Sequence, residues 1–127
     1  MAINQMTKLQ DFLHAISDEK RIRILKMLEK RPVCICQITA VLGIRQPTVS
    51  KHMSKLKKAN IVIEQRTGQF ILYMLNKSNP FINIWWVTSN LIDSNIIMKD
   101  EKCLKEFTRK VPLKIDSQSS INQENQW

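Results

Sequence analysis

Cys34 and Cys36 stand one residue apart, and with Cys103, His14 and His52 they hold the chain's chemistry beyond charge and packing. Thiolates are soft donors that select thiophilic ions over hard ones. Accessible thiols near a resolving partner also sense oxidants and persulfides, which here would mean a bond from Cys34 or Cys36 to Cys103. The same pair could instead be inert cysteines buried between helices. Three cysteines, two of them nearly adjacent, are poor material for a disulfide framework. Two His and two Gly leave little for a His-rich metal site or a glycine-rich phosphate loop. An enzyme would have to pair Cys34 or Cys36 with His14 or His52, and His52 is better placed as a packed residue. The chain is not read as an enzyme.

The elements around these residues follow from spacing. Leu9, Phe12, Leu13 and Ile16 repeat as on an amphipathic helix. Ser17 can cap a second helix whose first turn holds Asp18 and Glu19; it turns Ile22, Leu25 and Leu28 inward and stops before Pro32. A third helix, Ile35 to Leu42, buries Ile35, Ile38 and Leu42 and ends at Gly43. After a short turn, Gln46 and Pro47 open a fourth helix that runs to about Lys58. Helix, glycine turn, helix is the pattern of a helix-turn-helix. Ile61 to Gln65 and Gln69 to Leu75, split by Arg66-Thr67-Gly68, read as a hairpin. The fold class is therefore mainly α with a β-hairpin wing, a winged helix-turn-helix.

Asn79 and Pro80 start a further helix, with Phe81, Ile84, Trp85, Thr88, Leu91 and Ile92 on one stripe. A winged helix does not need this stripe for its own core, so it and the first helix are read as a homodimer interface. Asp100 to Lys110 forms a last short helix. Residues 1–110 make one domain, and 111–127, rich in Ser, Gln and Asn, read as a disordered polar tail.

The charge agrees with this layout. Lys20 to Arg66 holds twelve Lys and Arg against Glu29 and Glu64, a net +10 where the whole chain carries +9. Such a concentration is the footprint of a polyanion, most often nucleic acid. On the fourth helix Val49, Met53 and Leu56 share the inner face. Pro47, Thr48, Lys51, Ser54, Lys55 and Lys58 share the outer one. Thr48 and Ser50 lie near the end that reaches base edges, while Lys51, Lys55, Lys57 and Lys58 suit phosphates. Arg66 at the hairpin tip would touch flanking DNA, and Gln46 is either a helix cap or a base reader. An apolar stretch far short of the ~20 residues of a membrane span, and the lack of a signal-peptide core at the N-terminus, place the protein in the cytoplasm.

Three ordered motifs carry a family likeness: Ser17-Asp18-Glu19-Lys20-Arg21-Ile22-Arg23-Ile24-Leu25, then Val33-Cys34-Ile35-Cys36-Gln37-Ile38, then Gln46-Pro47-Thr48-Val49-Ser50-Lys51-His52-Met53. Together, across about residues 5 to 100, the chain resembles the ArsR/SmtB family of dimeric winged-helix repressors, which leave their operator when a metal or metalloid binds. The resemblance implies double-stranded operator DNA as partner, with half-sites about one helical turn or a multiple of it apart. It also implies soft-ion binding at the Cys-x-Cys. Gln37 replaces the family's usual acid, and Thr39 stands where arsenite-responsive members often carry a third Cys. Cadmium- and lead-responsive members use an N-terminal Cys that is absent here. Cys34, Cys36 and Cys103 are thus the metal-site candidates, with As(III) or Sb(III) favoured as inducer and Cd(II) or Pb(II) as alternatives. His-and-carboxylate zinc sites are excluded on Ile82 to Lys99, which has no His. Two side chains two apart diverge by about 200° on a helix but share a face in extended chain. Chelation by both therefore favours an extended start to the third helix. The other functions weighed are thiol-redox or persulfide sensing on the same fold and an effector-independent DNA-binding protein.

Overall fold

Periodic apolar residues and well-defined caps set the helices of the computed structural model, which describes residues 4–92 and 94–110. The elements are α1 (Gln5–Ala15), α2 (Glu19–Leu28), β1 (Val33–Cys34), α3 (Ile35–Leu42), α4 (Gln46–Lys58), β2 (Val62–Thr67), β3 (Phe70–Leu75), α5 (Ile82–Ser89) and α6 (Asn95–Lys110). The three strands form one antiparallel sheet in the order β1-β3-β2. This is the winged helix-turn-helix expected from the sequence. One core unites Phe12 of α1, Ile24, Leu25 and Leu28 of α2, Ile38 of α3, Val49, Met53 and Leu56 of α4, and Trp85 of α5; with Phe81, Ile84 and Ile92 packed against it, most of the stripe expected to face a second copy serves the protomer's own core instead.

Several local expectations change. Asp18, not Ser17, caps α2: its Oδ1 accepts from the Arg21 amide at 3.1 Å, while the Ser17 hydroxyl turns back to donate to the His14 carbonyl. A carboxylate there also meets the positive end of the helix dipole. The buried face of α2 is Arg21, Ile24, Leu25, Met27 and Leu28, with Ile22 only half-buried. Ile35 is likewise half-buried, and Gln37 takes an interior place on α3. Leu13 faces outward on α1, where Phe12 and Ala15 are the buried residues. β1 has only two residues, too short for alternation to reveal; its register against β3, Val33 to Tyr73 and Cys34 to Leu72, is a tertiary outcome.

The C-terminal elements differ most. A single stripe to Ile92 gives way to a short α5 and a long α6 that starts at Asn95 instead of Asp100. Asn and Ser compete with helical hydrogen bonds and favour caps: the Ser94 hydroxyl accepts from the Ile97 amide at 3.4 Å and opens α6. α6 is then held on α2 by charge. Arg23 and the buried Asp100 form a two-pronged pair, Nε to Oδ2 and Nη2 to Oδ1, both 2.8 Å. Lys30 reaches Glu101 at 2.6 Å, and Leu104 completes the apolar contact with the core. The expected tail at 111–127 lies outside the described residues. Among the described residues no helix is long and apolar enough to cross a membrane.

Candidate nucleic-acid interface and thiol pair

The fourth helix is fixed at both ends before it presents anything. Gly43 terminates α3 at φ 65°, in the left-handed region that glycine enters at least cost, and its amide donates to the Thr39 carbonyl at 2.9 Å. Pro47 occupies the first turn of α4, where no amide hydrogen is needed. At the far end Asn60 takes φ 60°. The Ile61 amide returns to Leu56 at 3.0 Å and the Asn60 amide to Lys57 at 2.9 Å, the paired bonds of a Schellman stop. The Asn60 carbonyl accepts from the side-chain amides of Asn76 and Asn79, each at 2.9 Å, which ties the end of α4 to the segment after the wing.

A second clamp holds the middle of the helix. The buried Arg21 donates Nε to the Ala15 carbonyl at 2.6 Å and Nη1 to His52 Nδ1 at 3.1 Å. An arginine only donates, so Nδ1 of His52 accepts and the neutral ring carries its proton on Nε2. Burial, outweighing the nearby Asp18 carboxylate, holds His52 below its ordinary value of 6.5, and the cations Arg21, Lys20 and Lys55 act in the same direction. His52 is thus a half-buried structural residue. Neither Arg21 nor the capping Asp18 stood out in the sequence as part of this clamp. The only available signal was an Asp three residues ahead of an Arg at a helix start.

With Val49, Met53 and Leu56 buried, the outer face is left to polar and basic residues. Gln46, Pro47, Thr48, Lys51, Lys55 and Lys58 are exposed and Ser50 is half-buried. Lys51, Lys55 and Lys58 form no ion pair among the described residues. Lys57 differs, because it pairs with Glu64 of β2 and so braces the helix against the wing. Arg66 is exposed but lies within β2 opposite Ile71; the tip itself is Gly68-Gln69, between the paired Thr67 and Phe70. Arg45, exposed at the N-cap of α4, extends the basic surface and escaped the sequence reading. A cation directly ahead of α4 was its signal.

The cysteines flank this surface. Cys34 is extended (φ −96°, ψ 166°), buried as the last residue of β1 and the N-cap of α3, and Cys36 is exposed in the first turn. The two are joined in a disulfide, with Cα atoms 5.4 Å apart. Gln37 returns its Oε1 to the Cys34 amide at 2.9 Å in a capping box, the structural task of the residue that replaces the family's acid. A cleft of about 250 Å³ is lined by the pair, Gln46 of α4, and Gln69, Phe70 and Ile71 of the wing. Cys103 stays apart, half-buried on α6 and unbonded. Among the described residues no three His, Cys, Asp or Glu are grouped to hold a metal ion. One protomer therefore brings together two of the three expected ligands.

A model described as a bacterial regulatory protein of the arsR family matches residues 18–64, from the α2 cap to the middle of β2. The chain is 30% identical over 84 residues to the arsenic resistance transcriptional regulator ArsR1 of Pseudomonas putida, covering 63% of this chain and 62% of that one; it thus spans about three fifths of the first curated relatives it matches. It is 33% identical over 79 residues to the transcriptional repressor SdpR of Bacillus subtilis, covering 62% of this chain and 88% of that repressor. Its fold is similar to a homodimeric winged helix-turn-helix DNA-binding domain from Mycobacterium bovis, with a TM-score of 0.59, 18% identity and coverage of 67% and 81% of the two chains. Helix order, wing and sequence likeness converge on one conclusion: the chain belongs to the ArsR/SmtB family of transcriptional regulators.

Proposed function

We propose that this protein is a homodimeric transcriptional repressor that grips a palindromic operator through α4 and the wing, and releases it when trivalent arsenic binds the thiolates of Cys34 and Cys36. The observation that carries the reading is the position of the cysteine pair in a cleft shared with Gln46 and the wing tip. A ligand held there alters the junction that aims the recognition helix. Thr48 and Ser50 face base edges, while Lys51, Lys55, Lys58 and Arg66 neutralise phosphates. Met6 and Leu13 on α1 and Val87 and Leu91 on and just after α5 are exposed large apolar side chains. They supply the surface that a second copy covers.

Cys34 and Cys36 sit at one cleft with Cα atoms 5.4 Å apart, and the thiolates of the reduced pair are soft donors suited to a thiophilic ion. Cys103 is the proposed third thiolate, delivered by movement of α6 or by the partner copy. Fluorescence anisotropy on DNA from the protein's own promoter, with reduced protein and titrated arsenite, antimonite, cadmium, lead and zinc, tests the reading. Release by near-stoichiometric arsenite is expected, and it should vanish in the Cys34→Ser, Cys36→Ser double variant. Unchanged release by that variant would remove the thiols from the switch. The disulfide favours a second reading, thiol-redox sensing within the Cys-x-Cys, in which oxidant alone releases DNA.

A further inference from the structure

The two sulfurs of the disulfide are unequal. Cys34 is 3% exposed, enclosed between β3 and the start of α3, whereas Cys36 is open to solvent in the cleft bounded by Gln46, Gln69 and Phe70. An attacking thiolate must approach a disulfide sulfur directly, so access decides which sulfur is taken. Cys34 is also the better leaving group by position: it caps α3, where the unpaired amides and dipole of the first turn favour negative charge.

We infer that Cys36 is a thiolation site, taking a low-molecular-weight thiol as a mixed disulfide that lies between the recognition helix and the wing and keeps DNA off both. The thiolate RS⁻ attacks Cys36 Sγ and forms the Cys36–S–S–R bond. The Cys34–Cys36 bond breaks and its electron pair leaves on Cys34 Sγ, which takes up the proton lost by the incoming thiol. The disulfide is the oxidant, so no other co-reactant is required. The adduct occupies the space beside Gln46 and Gln69, both exposed, and a carboxylate-bearing thiol would in addition repel the phosphates that the basic face attracts. The inference rests on the DNA-binding reading above and is independent of arsenic.

Glutathione is the probe. The oxidised full-length protein is mixed with it, quenched in acid and analysed by intact mass and peptide mapping. One glutathionyl group on Cys36 is expected, and none on Cys34 or Cys103. Cys34→Ser and Cys34→Ala, whose Cys36 has no neighbour to resolve the adduct, are then loaded to completion with glutathione disulfide and assayed by anisotropy on promoter DNA. Affinity should fall at least tenfold and return on reduction, while the exposed-site variant Cys36→Ser neither takes up the group nor loses affinity. Mapping to Cys34 or Cys103, or full occupancy of Cys36 with unchanged affinity, would overturn the inference while leaving the repressor reading intact. Failure of the untreated protein to bind its promoter would overturn both.

Discussion

The basic block from Lys20 to Arg66 divides into two regions with opposite uses of charge. On α2 and the turn after it, Arg23, Lys26 and Lys30 are each matched to a carboxylate: Asp100, Glu29 and Glu101. On α4, Lys51, Lys55 and Lys58 point outward with no such match among the described residues. Pairing decides what a cation can do. A matched arginine on a buried aspartate fixes an element in place and is lost to a polyanion. An unmatched lysine adds little to the fold and stays available for phosphate. Net charge alone made the two stretches look alike.

The comparison breaks most visibly at Asp100. Asp100→Ala leaves Arg23 without its buried partner and should cost about 3 kcal/mol of stability, the scale for stripping one member from such a pair. Urea unfolding measures it, and a loss below about 1 kcal/mol would show that the Arg23–Asp100 pair adds little to the hold on α6. The α4 counterpart should behave in the reverse manner. Lys51→Ala with Lys55→Ala should leave stability within about 0.5 kcal/mol while weakening promoter binding roughly tenfold and lowering the salt slope by about 2. An unchanged slope would take these lysines off the phosphates.

Smaller effects sharpen the picture of how α4 is aimed. Gly43→Ala meets no atom within 4 Å, so its cost is the left-handed backbone alone, about 1 kcal/mol in thermal or urea unfolding. Least of all is a pH effect at His52. Its folded value lies below the ordinary 6.5, so the neutral ring is favoured in the fold. That contribution is complete above pH 6.5 and is lost as pH falls through the folded value. His52→Gln should flatten this part of the stability profile. An identical slope in the variant would assign the effect to other groups, such as Asp18. There, burial opposes ionisation, but the Arg21 amide and the nearby positive charges hold the carboxyl below its usual range.

How much could be read in advance depended on the distance over which each feature is set. The bounds of α3 and the start of α4 follow from Gly43 and Pro47, residues whose backbone limits act locally. The exposed face of α4 follows from the spacing of Val49, Met53 and Leu56. Two C-terminal helices were legible but not their bounds: α5 ends at Ser89 and α6 starts at Asn95, because the Asn and Ser residues interrupt an apolar stripe that runs on to Ile92. The Arg21–His52 clamp spans 31 residues and the Arg23–Asp100 pair 77, separations at which no periodic pattern survives.

By itself the sequence determined a winged helix-turn-helix, a basic outward face on α4 and a pair of thiols just ahead of it, because caps, turns and amphipathic spacing are encoded within a few residues. Long-range packing settles the rest: which cations stay unpaired among the described residues, that Cys34 bonds Cys36 while Cys103 stays apart, and that this pair shares a cleft with Gln46 and the wing. Those outcomes depend on β1 pairing with β3 across some 40 residues and on α6 docking against α2. Contacts of that range are chosen by the whole core at once.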